Sequence, residues 1–367
     1  MKSADVAIAG GGIIGLATAL ELAAAGQKVT VFDRGESMSE ASRAAAGMLA
    51  GTDPENPAEL RELARLSLSL YPDFLARVEH LSGKKVPIHT KTALQGSKVL
   101  PAGVTGLTDS EVQELAPGAD TSGWRFCLLK ELSFDAWDLA EALPAAARAA
   151  GIEVREHTPV AVVTARTGGV ELNTTSGPFV AGSFLNAAGA WASTLHSTVL
   201  VQPRKGHMLT VELPGRRQMH CVLRTPKVYI VPRSEGRYTI GPTLENAGFD
   251  KEVYADRIAG LYHKACDLWP LLRDARISET WVGLRPASQD GLPIIDRTDE
   301  GIWVATGHFK NGIMLAPGTA RALSAWMTGR PSSVDLSLFR AGRFCAQTPS
   351  PLKRAAHPRP ALSVSLS

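Results

Sequence analysis

Cysteine is sparse and shows no clustering. The four residues, Cys127, Cys221, Cys266 and Cys345, lie far apart and form no CxxC pair. That excludes a zinc ribbon and a thioredoxin-like redox motif, and it fits a reducing cytosol, while a pairing between distant cysteines stays open. Long uncharged apolar runs are missing, so no segment reads as a membrane span. The chain enters an apolar strand at residues 5–8, without the basic stretch, apolar stretch and small-residue site of a secretory signal. The expectation is a soluble cytoplasmic protein with no membrane partner. Runs of like charge are absent as well. The 39 Lys and Arg are scattered among 36 Asp and Glu, and a net charge of +3 provides no electrostatic footprint for DNA or RNA. No internal repeat is visible.

What is present belongs to a globular chain: 44% hydrophobic and 20% charged residues. A length of 367 residues implies two folded units, and these can share the chain discontinuously. Residues 5–8 read as a short strand, 10–15 as a glycine-rich turn, 14–25 as an Ala/Leu-rich helix closed by Gly26, and 28–32 as a second strand. This βαβ opening argues for a parallel sheet covered by helices. Residues 39–51 are small in type, and 60–81 form a Leu-rich helix. Between 86 and 132 the short segments broken by Gly and Pro suit an inserted antiparallel region. A helix at 136–150, strand, turn and strand over 152–163, and a strand at 179–185 come next. Residues 201–241 are strand-rich, with Gly206, Gly236 and Gly241 as turn candidates. A charged helix is expected over 252–272, then a strand at 302–305, a loop at 308–312 and an apolar helix at 313–327. From about Gln347 the prolines and lack of periodicity suggest a poorly ordered tail.

Gly10, Gly12 and Gly15 form GxGxxG between a strand and a helix, the context in which that motif binds a dinucleotide. The first glycine permits the tight turn. The second lets backbone approach a pyrophosphate, and the third lets the helix pack closely on the strand. The amides around Ile13 and Ile14 at the helix start would supply N–H groups and a positive dipole to the phosphates. Asp33, followed by Arg34, ends the second strand eighteen positions after Gly15, where an acidic side chain accepts hydrogen bonds from a ribose. Taken alone, the Asp33 carboxylate also fits a solvated strand end. The motif leaves NAD or FAD open.

The rest of the chain, from Val6 to about Leu338, resembles the glycine oxidases of the D-amino acid oxidase superfamily. The segment 41–49, Ala-Ser-Arg-Ala-Ala-Ala-Gly-Met-Leu, is similar to the family's small-residue segment after the second strand. It implies that Ala41, Ser42, Ala46, Gly47 and Met48 lie against the flavin, where bulky side chains would exclude it. Val160, in His-Thr-Pro-Val, matches the valine whose backbone contacts the adenine. Ala188, Gly189 and Trp191 match the turn beneath the dinucleotide. His308, Phe309, Lys310, Asn311, Gly312, Ile313 and Met314 match a glycine-flanked loop whose amides face the part of the flavin that gains negative charge on reduction. No cysteine stands at 283–288, where covalently flavinylated relatives carry one, so the resemblance implies noncovalent FAD.

Arg285, in Trp-Val-Gly-Leu-Arg-Pro, resembles the family arginine that pairs with the substrate carboxylate, and Tyr229, in Val-Tyr-Ile-Val-Pro-Arg, resembles the tyrosine that supplements it. Met48 would form a pocket wall and Lys310 would add a positive charge. Three departures bear on the substrate: Lys310 where arginine is usual, and Lys227 and Leu244 where His and Met are more familiar. The implied fold is α/β. It comprises a Rossmann-type FAD-binding domain over 1–83, 133–198 and 282–342 and an α+β substrate domain with an antiparallel sheet over 84–132 and 199–281, followed by a flexible tail at 343–367.

The implied reaction is oxidative deamination of glycine or another small amine-bearing carboxylate. It proceeds by hydride transfer to the flavin without a general base, and oxygen is reduced to hydrogen peroxide. The family's biological role is in thiamine biosynthesis, and the family often forms homotetramers. The main alternative is a dehydrogenase of the same fold that passes electrons to a quinone. A noncatalytic flavoprotein is disfavoured by Arg285 and Tyr229, which it would not need.

Overall fold

The computed structural model describes residues 3–215, 219–234 and 236–347. The chain begins with β1 (Ala4–Ala9), α1 (Ile13–Ala24) and β2 (Val29–Phe32), then α2 (Ala41–Ala44) and α3 (Arg61–Ser82). The strands β3 (Ile88–Thr90) and β4 (Ala93–Ser97) precede α4 (Asp109–Leu115). Next come β5 (Arg125–Leu129), β6 (Ser133–Phe134) and α5 (Ala136–Ala149). A run of strands follows: β7 (Glu153–Arg155), β8 (Val160–Arg166), β9 (Gly169–Thr174) and β10 (Gly177–Asn186), closed by α6 (Ala192–Leu195). Then β11 (Val201–Glu212), β12 (Val222–Thr225), β13 (Val228–Pro232) and β14 (Arg237–Gly241) lead to α7 (Ala255–Leu268). The last elements are β15 (Arg276–Ser288), β16 (Ile294–Arg297), β17 (Trp303–Thr306) and α8 (Gly312–Met327).

Two sheets organise the molecule. The first has the order β16-β17-β10-β1-β2-β7, with the β8–β9 hairpin attached to β10. Its pairs β17–β10, β10–β1, β1–β2 and β2–β7 are parallel. All four β2 residues are buried, as expected for a strand covered on both faces. Helices α1, α3, α5 and α8 pack a core in which Leu16 and Leu20 of α1, Leu139 and Leu143 of α5, and Leu315 and Leu323 of α8 are buried. Residues four apart on a helix share a face, which makes such stripes possible.

The second sheet has the order β15-β11-β14-β13-β12-β4-β5. It is antiparallel except where β4 runs parallel to β12, so the inserted region expected at 86–132 joins this sheet in mixed fashion. Helix α7 packs over it through Ile258, Leu261 and Ala265, against a cluster containing Leu209, Ile230, Tyr238 and Trp269.

Several expectations change. Gly206 is not a turn residue but lies in the middle of the twelve-residue strand β11. The helix expected over 252–272 is α7, which stops at Leu268 because Pro270 disfavours helical backbone at Trp269. The proposed boundary at 282 falls inside the continuous strand β15, which pairs with β11 from Val201–Ser288 to Glu212–Arg276. The tail does not begin at 343. Ala341–Gln347 forms a 3-10 helix, and Arg343 pairs with Asp290 at 2.7 Å. The rest of the expected tail, from 348, lies outside the described residues.

Candidate active site

A cavity of about 530 Å³ lies between the sheets. Ala9, Phe32, Ala187 and Thr306, at the carboxyl ends of β1, β2, β10 and β17, form one side, where an α/β sheet leaves its crevice. Residues from β4, β11, β12, β13 and β15 form the other.

At the nucleotide end, the glycine turn is set by close backbone approach. Gly10 has φ +107, and a Cβ there would stand 2.3 Å from the Ala187 carbonyl oxygen. A Cβ on Gly15 would be 1.9 Å from the Gly10 oxygen, which explains a glycine that packs the helix and does not itself line the cavity. Helix α1 starts after Gly12 with no side-chain cap and no acidic residue in its first turn. Its end is therefore free to meet phosphate, apart from the Ile13 N–H, which donates to Ser42 Oγ at 3.0 Å. Asp33 accepts from the N–H groups of Gly11 at 2.7 Å and Gly35 at 2.8 Å. Burial pushes its carboxyl above the usual range against the pull of those two bonds.

Ile14, Arg34, Val160, Ala188, Gly189 and Trp191 also line this end. The Arg34 guanidinium lies 3.7 Å from the Trp191 ring centroid, and Phe249 stacks on the same indole at 5.3 Å. Phe249 belongs to a segment between β14 and α7 that spans from one sheet to the other. Within it, Asp250 pairs with the fully buried Lys205 at 2.6 Å, and Lys251 reaches Glu40 on the cavity wall at 3.1 Å.

The middle of the cavity is walled by Ala41, Ser42, Ala44, Ala45, Ala46 and Gly47, whose side chains take little space, and by Met48. Arg233 is buried and fixes this segment, donating to the carbonyls of Ala46 at 2.7 Å and Phe134 at 3.2 Å. Across from it stand His308, Phe309, Lys310, Asn311, Gly312 and Ile313. His308 shares a hydrogen bond with Thr319 Oγ1 at 3.1 Å through Nε2, while its buried Nδ1 has no partner among the described residues. Burial holds its pKa down at about 3, so the ring is neutral. Helix α8 starts at Gly312 with no side-chain cap and presents a second free helix end to the cavity. Met314 does not line the cavity; it is buried in the core, where its carbonyl accepts from Ser67 Oγ at 2.6 Å.

At the far end, Arg285 and Tyr229 come together. Trp281, Gly283 and Arg285 alternate along β15 and share one face with Met208 and Gly206 of β11. A Cβ on Gly206 would stand 2.0 Å from Arg285 Nη1, so this strand glycine makes the room that the guanidinium occupies. Arg285 donates to the Thr243 carbonyl at 3.3 Å and has no carboxylate within ion-pair distance among the described residues. Desolvation draws its pKa down, and the adjacent Tyr229 opposes that. Desolvation also pushes the Tyr229 phenol upward, against Arg285 and Arg233, so the hydroxyl stays protonated. That hydroxyl lies 3.3 Å from Met208 Sδ. An uncompensated guanidinium enclosed beside a phenol is electrostatically incomplete, and a ligand carboxylate would complete it.

Lys310 lies on the wall with its Nζ 3.9 Å from Glu55. Lys227 and Leu244 do not line the cavity. Both are exposed, Leu244 at 59%, so neither departure acts as a pocket wall. Instead the outer wall carries Asp53, Glu55, Gln95, Met208, Arg224 and Thr225. Of these, Gln95 and Arg224 each follow two apolar residues in β4 and β12, and nothing local showed that they meet.

An uncapped helix end beside glycines that admit no Cβ, a small-residue wall and a second free helix end fit a flavin dinucleotide, with a neutral buried histidine alongside. The described cysteines Cys127, Cys221 and Cys266 are buried and form no disulfide among the described residues, and none lines the cavity. No helix among the described residues is long and apolar enough to cross a membrane.

Residues 5–326 match the family model described as FAD dependent oxidoreductase. The glycine oxidase of Geobacillus kaustophilus is 32% identical over 360 residues, covering 91% of this chain and 96% of that protein. The bifunctional protein ThiO/ThiG of Trichormus variabilis is 34% identical over 94% of this chain, which spans 55% of that longer protein. The crystal structure of the Geobacillus kaustophilus glycine oxidase superposes with a TM-score of 0.88 at 31% identity, covering 93% of this chain and 98% of that one. The chain therefore belongs to the D-amino acid oxidase family of FAD-dependent oxidoreductases, is an enzyme of the glycine oxidase type, and uses FAD as its cofactor.

Proposed function

We propose that this enzyme oxidises a small amine-bearing carboxylate, with glycine, sarcosine and small D-amino acids as the substrate class, and that oxygen is the final acceptor. The observation that carries this reading is Arg285: a guanidinium enclosed in the cavity, beside the Tyr229 hydroxyl, with no carboxylate of the described residues to neutralise it. A planar guanidinium matches two carboxylate oxygens at once and keeps its charge at any working pH.

When bound, FAD supplies the two-electron acceptor chemistry, with reoxidation by oxygen giving hydrogen peroxide. The residues of the chain bind and align. Arg285 and Tyr229 hold the carboxylate, which leaves the amine-bearing carbon directed toward the small-residue wall of Ala46, Gly47 and Met48. No carboxylate or charged histidine is needed as a base. His308 is neutral and already shares its Nε2 with Thr319, and the phenol of Tyr229 is held protonated. Proximity and orientation therefore carry the rate enhancement, with loss of two electrons and two protons from the neutral amine, the electrons going to FAD when it is bound, giving an imine. Water then hydrolyses the imine to a 2-oxo acid and ammonia, or to glyoxylate and ammonia from glycine.

The test is peroxide release by the yellow holoenzyme with glycine, sarcosine, D-alanine and D-proline, run beside reduction of an artificial electron acceptor. Peroxide stoichiometric with glyoxylate supports the oxidase. Dye reduction without peroxide replaces oxygen by another acceptor, and silence in both assays rejects the substrate class.

A further inference from the structure

The second sheet brings a transverse row of side chains to the cavity. Gln95 of β4 is paired in register with Arg224 of β12, and Arg224 is directly opposite Tyr229 of β13. Directly opposed residues point to the same face of a sheet, so Arg224 flanks the carboxylate clamp on the side away from β15. It is 5% exposed and forms part of the cavity wall.

Its guanidinium is held rigidly. Nε donates to Gln95 Oε1, Nη1 donates to Glu131 Oε2 at 2.7 Å and Nη2 donates to Glu131 Oε1 at 3.2 Å. Glu131 is buried at 3% and also accepts from Thr52 Oγ1 at 3.0 Å. An arginine has five N–H groups, so one on each of Nη1 and Nη2 is left without a partner among these. Asp53, also on the cavity wall, stands with Oδ2 3.7 Å from Nη2, beyond hydrogen-bond length. Its other oxygen accepts from the Glu55 N–H at 2.9 Å.

A donor and an acceptor thus stand side by side on the cavity wall, within ion-pair distance but too far apart to hydrogen-bond each other. Their charges exclude simpler ligands. The Arg224 charge is balanced by Glu131, which leaves Asp53 as the excess, so a second carboxylate would be repelled. An apolar substituent would leave both groups unpaired, at a cost comparable to a lost charge-assisted hydrogen bond. A hydroxyl or carboxamide both accepts and donates, and so complements the pair.

We propose that Arg224 and Asp53 form a specificity subsite for a neutral polar substituent, a hydroxyl or carboxamide, on the amine-bearing carboxylate held by Arg285. This rests on the functional reading given above. If the Arg224–Glu131 pair served only to join β12 to the segment before β6, Arg224 would have no reason to stand on the cavity wall beside Asp53.

The experiment uses isosteric pairs on the holoenzyme, D-asparagine against D-leucine and D-serine against D-2-aminobutyrate, read by peroxide release and by dye reduction. The expected result is a kcat/KM about tenfold higher for the polar member of each pair, the size of one charge-assisted hydrogen bond. That ratio falls to about one in Asp53→Ala, which leaves the Arg224–Glu131 pair intact. It falls likewise in the double variant R224L/E131Q, built so that no buried carboxylate is left alone. Should the double variant not fold, Asp53→Ala alone decides. Equal or inverted preference in the wild type, an unchanged ratio in Asp53→Ala, or turnover confined to glycine overturns the subsite and leaves amine oxidation standing. Silence toward every amine with both acceptors overturns the functional reading and the subsite with it.

Discussion

Arg285 and Gly206 form one device at the scale of single residues, because the side chain that one lacks is the space that the other fills. Arg285→Ala is expected to weaken binding of a carboxylate inhibitor by about 2–5 kcal/mol, the range for truncating one partner of a desolvated charge pair. Titration of the flavin absorbance with such an inhibitor checks it, and an unchanged affinity contradicts the clamp. Gly206→Ala tests the same geometry without touching a charge. The atoms that its Cβ would meet are the far end of a flexible side chain, so the fold survives while the guanidinium moves. We expect a kcat/KM reduced about a hundredfold, as for a displacement of roughly an ångström, with a melting temperature close to wild type. Arg285 was legible in the sequence through its motif. Gly206 was not, since a glycine in a strand-rich stretch reads locally as a turn, and only the pairing of β11 with β15 shows what stands over it.

At the scale of elements, the strand–turn–helix formed by β1 and α1 follows from neighbouring residues, and Gly10 carries it. Its φ of +107, with the Ala187 oxygen only 2.3 Å from where a Cβ would sit, leaves no conformation for alanine. Gly10→Ala is expected to purify with little or no flavin, read as flavin absorbance per protein before and after incubation with excess FAD. Full flavin content would remove the turn from the cofactor site. The segment between β14 and α7 is a different case. It reaches the other sheet through Phe249 on Trp191 and Lys251 on Glu40, and no local pattern announces those contacts. An aromatic pair of this kind contributes about 1 kcal/mol. Phe249→Ala should therefore raise the dissociation constant for FAD several-fold, measured by fluorescence of released flavin, and an unchanged constant would assign the stack to packing alone.

At the scale of the whole molecule, the two sheets enclose the site and bury groups that water would otherwise keep titrating near neutrality. His308 is 2% exposed, with a folded pKa of about 3 against an ordinary value of 6.5. The unfolded chain therefore binds a proton there that the folded chain refuses, between about pH 6.5 and 3. Stability from this residue is complete above pH 6.5 and declines as pH falls through that window, by at most about 1.4 kcal/mol per pH unit. Glu156, Glu245 and Asp290, with carboxyls held below the usual range in the face of burial, add losses of the same sign at lower pH, while Asp33, raised by burial, acts oppositely. Urea unfolding of the holoprotein between pH 6.5 and 4.5 should show this decline, and His308→Gln should flatten it. An equal slope in both proteins would place the acid sensitivity elsewhere.

The amino-acid sequence by itself determined the elements whose cause is local: the GxGxxG turn at Gly10 to Gly15, the Ala/Leu helix after it, the buried strand ending at Asp33 and the final apolar helix. In each the relevant interactions lie within a few residues or along one periodic face. The partnership of Arg285 with Tyr229 was also readable, through motifs that carry the family's chemistry. Only the tertiary structure decided that Lys227 and Leu244 stand outside the cavity, that Met314 belongs to the core, and that Gln95, Arg224 and Tyr229 form one row. Gln95 and Arg224 lie more than a hundred residues apart, and strand register brings them together. Register follows from which face of each strand is buried and from how distant strands pair, and neither is encoded in any short stretch of the chain.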